Sequence, residues 1–452
     1  MALKSINPWS DTLIQEYKEL TEREIEAHVL RSREAFTVYR NLKIDQRKKL
    51  LMQAADLLKQ KKEDLGRIIT LEMGKLISES VAEVEKCAWV CEYYAENAGP
   101  MLRTEKVVTE AHSSYIRYEP LGTILGIMPW NFPFWQVFRF AAPTLAAGNV
   151  ILLKHASNVQ GCAAAIENLF LDAGFTPGVF QNLAIGSERV AGIMAYEAVK
   201  AVSLTGSEEA GKAVAMAAGS HIKKTVLELG GSNAFIVCSD ADMDKAVETG
   251  VKARMQNAGQ SCIAAKRFIL HRDIKDIFIS RFKKALEMLR PGDPLDPGTT
   301  LAPLASINQA VGVKDQVERS VAMGAKILLG GYPDKAFYPA TLVTEVKPGM
   351  PLFDEEVFGP VAPVIVVDSV EEAVRLTNRS SFGLGVSLFT GDLKKAEKLV
   401  PAFDDGAVFV NTMVKSDPRL PFGGTKHSGY GRELAVNGLR EFVNVKTVYV
   451  DS

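Results

Sequence analysis

From Gly122 onward the chain alternates short, unbroken apolar runs with helical stretches of ten or more residues, and few folds accept that pattern. The order is GTILGIM, a helical run over 136–147, NVILLK, a helix over 160–173, VFQNLAI, AVSLTGS, a helix over 208–218 and NAFIVC. Strands apolar on both faces and separated by helices form a parallel sheet covered on both sides. In such doubly wound sheets the ligand crevice lies beyond the carboxyl ends of the strands. A second series begins with KRFILH and continues through AKILLGG, PVIVV, LGVSLFT and GAVFVN, after a Pro/Gly-rich connection at PGDPLDPGTTLAP. The expected fold class is α/β: two doubly wound α/β domains plus a small β element.

The flanking segments read differently. Apolar residues recur at helical spacing between Thr21 and Asn97, which predicts a helical N-terminal region. Residues 101–118 turn β-branched and polar, as expected of a hairpin standing off the body, and EFVNVKTVYV near the C-terminus reads as an edge strand. With 53 Lys plus Arg against 54 Asp plus Glu, the net charge of −1 gives no basic footprint for nucleic acid or an anionic membrane, so a small-molecule partner is expected. Five cysteines in 452 residues are too few for a disulfide framework, and none is spaced as a zinc site, so no metal is expected. Cys87 and Cys91, four apart on a helix, read as core thiols. The N-terminus lacks a signal-peptide core and no run of about 18 apolar residues occurs, so a cytoplasmic protein is expected.

Several residues could carry chemistry. Cys262, in NAGQSCIAA, stands in a small Gly-containing turn before a strand, where backbone N–H dipoles can favour thiolate; a packed small residue would look similar. Glu228, in LELGGSN, is flanked by leucines, and desolvation there would raise its pKa towards a general-base range; a salt-bridged structural glutamate is the alternative. Asn131, held between Pro129 and Pro133, offers a firm amide donor to an oxyanion, although a turn asparagine reads alike. No G-x-G-x-x-G is present. Instead Gly206 and Ser207 of LTGSEEAG lead into a helix, a phosphate-binding geometry in which Ser207 could equally be an N-cap. Lys154 ends NVILLK at the sheet's carboxyl edge, in reach of ribose or phosphate.

Taken together, MPWNFPFWQ, LLKHASN, LTGS, LELGGSN, GQSC, EEVFGP and PFGGTKHSGYGRE resemble, in order and spacing, the aldehyde dehydrogenase superfamily. The resemblance implies a Rossmann-like dinucleotide-binding domain over 1–100 and 119–228, a catalytic domain over 229–420, and oligomerisation strands over 101–118 and 440–452 that pair between subunits as a homodimer or homotetramer. It implies Cys262 as the nucleophile that forms a thiohemiacetal and then a thioester, Asn131 and the Cys262 N–H as the oxyanion site, and Glu228 as the base that activates water. Glu356 and Phe358 match residues at the nicotinamide ribose and ring, and Trp130, Lys154 and Ser207 match contacts to the adenosine and phosphate end. Ser157 stands where relatives that prefer NAD carry a glutamate, so NADP is expected and NAD remains possible.

The wording is most similar to the bacterial succinate-semialdehyde dehydrogenases. There Arg139 and Ser416 match residues that bind the distal carboxylate of the substrate, although an arginine is also apt for an interior ion pair. Gln256 stands where some relatives carry a second arginine, and Ala264 where some carry a redox-switch cysteine. A general aldehyde dehydrogenase is the alternative reading, and a coenzyme-A-acylating enzyme is disfavoured by the presence of Glu228.

Overall fold

The computed structural model describes residues 2–451; Met1 and Ser452, at the ends of the expected 1–100 and 440–452 segments, lie outside them. The first apolar series, apart from its last run NAFIVC, forms a six-stranded sheet in the order Gly429–Tyr430, Lys224–Glu228, Val199–Thr205, Thr123–Met128, Val150–His155, Phe180–Asn182. All its pairings are parallel except that of Gly429–Tyr430. The second series forms a seven-stranded sheet, Lys326–Leu329, Thr341–Thr344, Val361–Val367, Ala265–His271, Asn233–Val237, Val386–Phe389, Val408–Val410, parallel but for its first pair. The central strands are buried along nearly their whole length because helices cover both faces, which is why they read as continuous apolar runs.

Four helices, Glu22–Tyr39, Ile44–Gln60, Lys62–Met73 and Ile77–Met101, form the N-terminal region. The last runs 25 residues, and its Cys87 and Cys91 are fully buried in the core around the first sheet, as read from the sequence. The expected hairpin and tail meet in one antiparallel sheet: Glu105–Lys106 pairs with Ser113–Pro120, which pairs along its full length with Val443–Val450.

The structure departs from the expected layout in four places. NAFIVC, expected to continue the first series, lies in the second sheet as Asn233–Val237, between Ala265–His271 and Val386–Phe389. Residues 2–18 form an unforeseen hairpin, Ala2–Asn7 with Thr12–Lys18, whose second strand is almost wholly exposed and so carries no apolar alternation. The strand Ser113–Pro120 runs past the expected boundary at 118, since its pairing with Val443–Val450 continues to Pro120. The first sheet also recruits Gly429–Tyr430, from beyond the expected limit of 420. Gly429 permits this approach: it has φ +110°, and a Cβ there would lie 2.0 Å from the Leu227 carbonyl oxygen.

Candidate active site

Two cavities meet at Cys262. One, of about 580 Å³, is lined by Cys262 together with Lys86, Trp135, Arg139, Gln256 and Ser416. The other, of about 210 Å³, is lined by Cys262 together with Trp130, Asn131, Gly206, Ser207, Glu356 and Phe358. One thiol thus faces two spaces, and the residues expected to bind substrate and those expected near the nicotinamide fall on opposite sides of it.

Local backbone geometry holds the thiol there. Asn257 and Ala258 adopt left-handed φ of 53° and 50°, reversing the chain between the helix Met243–Met255 and the turn that carries Cys262. Asn257 Nδ2 donates to the Asn131 carbonyl at 2.8 Å and to the Gln260 carbonyl at 3.1 Å. Asn131 Nδ2 donates to the same Gln260 oxygen at 3.0 Å. That bond uses one of the two Asn131 amide hydrogens and leaves the second for a ligand oxygen. Behind the turn, Gly231 is required by close approach, since a Cβ there would lie 2.7 Å from the Cys262 carbonyl oxygen.

The Asn131 loop is fixed from two sides. His155 Nε2 donates to the Pro133 carbonyl at 2.8 Å while its Nδ1 accepts from Ala156 N at 2.9 Å, and burial pushes its pKa down to about 4, so it acts as a neutral brace. Glu83 accepts the backbone N–H groups of Phe134 and Trp135, both at 2.9 Å, and pairs with the buried Lys75. A carboxylate at the start of the helix Trp135–Ala146 satisfies otherwise unpaired donors and opposes the helix dipole.

Electrostatics correct one expectation. Burial pushes the Cys262 thiol up to about 11, with Lys266 and Arg139 opposing and Glu356 and Glu228 reinforcing the rise. In this state desolvation therefore outweighs the stabilisation of thiolate expected from the Gly-containing turn. Glu228 behaves as its leucine neighbours suggest: burial, then the Glu433 carboxyl, holds it well above the usual range, against Arg139 and Arg432. Its Oε1 is buried without a hydrogen-bond partner among the described residues, and a Cβ on Gly423 would come within 2.8 Å of it.

The second cavity opens where doubly wound sheets bind ligands. Gly206 and Ser207, Pro129 and Trp130, and Lys154 and Ser157 lie at or just past the carboxyl ends of three adjacent strands. Ser207 caps the helix Glu208–Ser220, accepting from Ala210 N, while it also lines the cavity. Lys154 and Ser157 lie outside the cavity lining. Ser157 is exposed, and Lys154 is half-buried with no ion-pair partner among the described residues, a cation disposed to meet an anion. Phe358 meets Trp130 edge to face at 5.8 Å. Glu356 accepts from Lys266 Nζ at 2.7 Å and from Gly231 N at 3.0 Å, so its carboxylate is held at the cavity wall.

On the other side, Ser416 is buried and accepts a hydrogen bond from Lys86 Nζ at 2.8 Å, and Gln256 is half-buried in the wall. Arg139 does not stand free as a receptor for carboxylate. It forms a buried ion pair with Glu433, donates to Thr205 Oγ1 at 3.2 Å, and lies 4.5 Å over the Phe422 ring. A substrate carboxylate would have to compete with Glu433, which is already desolvated beside it. The interior ion pair, the other use open to an arginine at this position, is the one the structure displays.

Sequence reasoning missed Lys266, Glu433, Lys86 and Glu83. Lys266 carried a usable signal, a lysine four residues after the cysteine at the start of a buried apolar strand; its Nζ donates to the Cys262 carbonyl at 2.8 Å. The other three depend on partners brought together only by folding.

The chain matches the aldehyde dehydrogenase family over residues 1–448. It is similar to a probable NADP(+) succinate-semialdehyde dehydrogenase of Synechocystis sp., with 49% identity over 453 residues and 100% of both chains covered. Succinate-semialdehyde dehydrogenase [NADP(+)] 1 of Mycobacterium tuberculosis is 46% identical over 456 residues, again covering 100% of both. The crystal structure of succinic semialdehyde dehydrogenase from Streptococcus pyogenes in complex with NADP+ superposes with a TM-score of 0.98 at 36% identity, covering 100% of both chains. A buried cysteine between two cavities, an amide donor beside it and a desolvated carboxyl nearby thus accompany a match along nearly the whole sequence, and the protein belongs to the aldehyde dehydrogenase family.

Proposed function

We propose that this protein oxidises succinate semialdehyde to succinate with NADP+ as preferred acceptor and NAD+ as a possible second one. The observation that carries the reading is the position of Cys262 on the wall shared by two cavities, one with room for a small aldehyde and one at the carboxyl ends of the first sheet's strands, where doubly wound folds bind nucleotides. The names of the similar enzymes from Synechocystis and Mycobacterium supply the substrate and cofactor.

In this reading Cys262 gives up its thiol proton to solvent water and its Sγ adds to the aldehyde carbon. Asn131 Nδ2 and the Cys262 N–H donate to the oxyanion. Trp130, Lys154, Ser157, Gly206, Ser207, Glu356 and Phe358 would hold the nucleotide, which would supply the hydride acceptor needed for the hemithioacetal on Cys262 to become a thioester. Glu228 then takes a proton from water, the resulting hydroxide adds to the thioester carbon, and Cys262 leaves as thiolate. A carboxyl whose pKa is raised by burial is a stronger base once ionised, which suits that step. The presence of this base favours hydrolysis over transfer to coenzyme A.

The same reading makes the protein a cytoplasmic homodimer or homotetramer. Support for assembly comes from the outer three-stranded sheet, which exposes Val445, Tyr449 and Val450. Among the described residues no helix is long and apolar enough to cross a membrane. A panel of aldehydes assayed with both cofactors tests the assignment: succinate semialdehyde with NADP+ should give the highest kcat/KM, and an equal rate with butanal would reduce the reading to a general aldehyde dehydrogenase.

A further inference from the structure

The cation that stands inside the larger cavity without a counter-ion is Lys86, on the helix Ile77–Met101. Its Nζ donates to Ser416 Oγ and lies 4.1 Å over the Trp135 ring, so a hydroxyl and an aromatic face hold the ammonium in one place. No carboxylate among the described residues pairs with it. Nearby acids are spent elsewhere: Glu83 on Lys75 and two backbone amides, and Asp417 on Arg419. Glu79, in the same wall, accepts from Asn257 N. Arg139 is occupied by Glu433, and the other lysines lining the cavity, Lys252 and Lys415, are exposed.

Building on the substrate reading above and on the role that the resemblance gives Ser416, we propose that Lys86 is the cation that recognises the distal carboxylate of the substrate and so selects an anionic aldehyde over a neutral one of equal length. An ammonium held in a partly apolar cavity lacks the solvation it had in water, and an incoming carboxylate restores it with a charge-assisted hydrogen bond. Ser416 contributes through the same contact: its hydroxyl accepts from Lys86 and can donate its own hydrogen to the carboxylate. Consistent with this, burial and then the Arg139 charge push the Lys86 pKa down to about 8, with Cys87, Glu83 and Asp417 opposing. An anionic ligand would raise it again.

The test compares kcat/KM for succinate semialdehyde with that for butanal at saturating NADP+, in wild type and in Lys86→Met. The wild-type ratio is expected to favour succinate semialdehyde, and Lys86→Met to lower that ratio about 10- to 100-fold, mostly through KM for the charged aldehyde. A wild-type preference that persists unchanged in Lys86→Met overturns this inference and leaves the substrate reading standing. A wild type with no preference overturns both. Should Lys86→Met fail to fold, the pH profile still decides: the wild-type ratio should fall above about pH 8 as Lys86 loses its proton, while Lys86→Arg should hold its ratio to higher pH. A wild-type ratio flat from pH 7 to 10 also overturns the inference.

Discussion

Arg139 forms a buried ion pair with Glu433, and Glu433 is the charge that, after burial itself, most raises the pKa of Glu228. The arginine is thereby tied to the electrostatics of Glu228, the proposed hydrolytic base. Removing it would strand a desolvated carboxylate beside Glu228. Arg139→Ala is therefore expected to cost about 3–5 kcal/mol of stability. It should also reduce turnover of succinate semialdehyde and butanal by similar factors. Urea unfolding and paired kinetics check this; a selective rise in KM for succinate semialdehyde would return Arg139 to the substrate.

Ser157 is exposed in the turn that follows the strand ending at His155, three residues beyond Lys154. A carboxylate there would gain ribose hydroxyl partners in NAD and meet like charge in NADP. Ser157→Glu should shift the ratio of kcat/KM values towards NAD+ about tenfold, a shift of about 1.4 kcal/mol. A wild type that already prefers NAD+ strongly would show that the position does not govern the choice.

The high pKa of Cys262 has a direct signature. An acid whose pKa is raised to about 11 by burial is almost entirely protonated at neutral pH, and its thiolate fraction grows about tenfold per pH unit until the pH nears that value. Alkylation of Cys262 by iodoacetamide in the ligand-free protein should accelerate steadily from pH 7 to pH 10. A plateau below pH 8 would mean that the turn does stabilise thiolate.

The two large sheets were legible in the sequence because helices bury their central strands on both faces, so that Thr123–Met128 or Asn233–Val237 is apolar without interruption. The hairpin at the N-terminus was not, since Thr12–Lys18 has only one half-buried residue and is otherwise exposed. Cys262, Asn131 and Glu228 stood out through glycines, prolines and leucines beside them in the chain. Lys86, Glu433 and Glu83 did not, because a charged residue reads as a solvated one until its distant partner is known. Glu83, for instance, looks like any helical glutamate until folding brings it to the amides of Phe134 and Trp135.

The central claim is that Cys262 carries the substrate as a thioester which Glu228 discharges with water. Glu228→Gln keeps the shape of the side chain and removes the base. Intact-mass and peptide mass measurements on this variant, taken after mixing with succinate semialdehyde and NADP+, should show one succinyl group per chain on Cys262, formed with a burst of reduced cofactor and followed by very slow turnover. Wild-type steady-state rates without an accumulated adduct, or an acyl group on any other residue, would contradict the account.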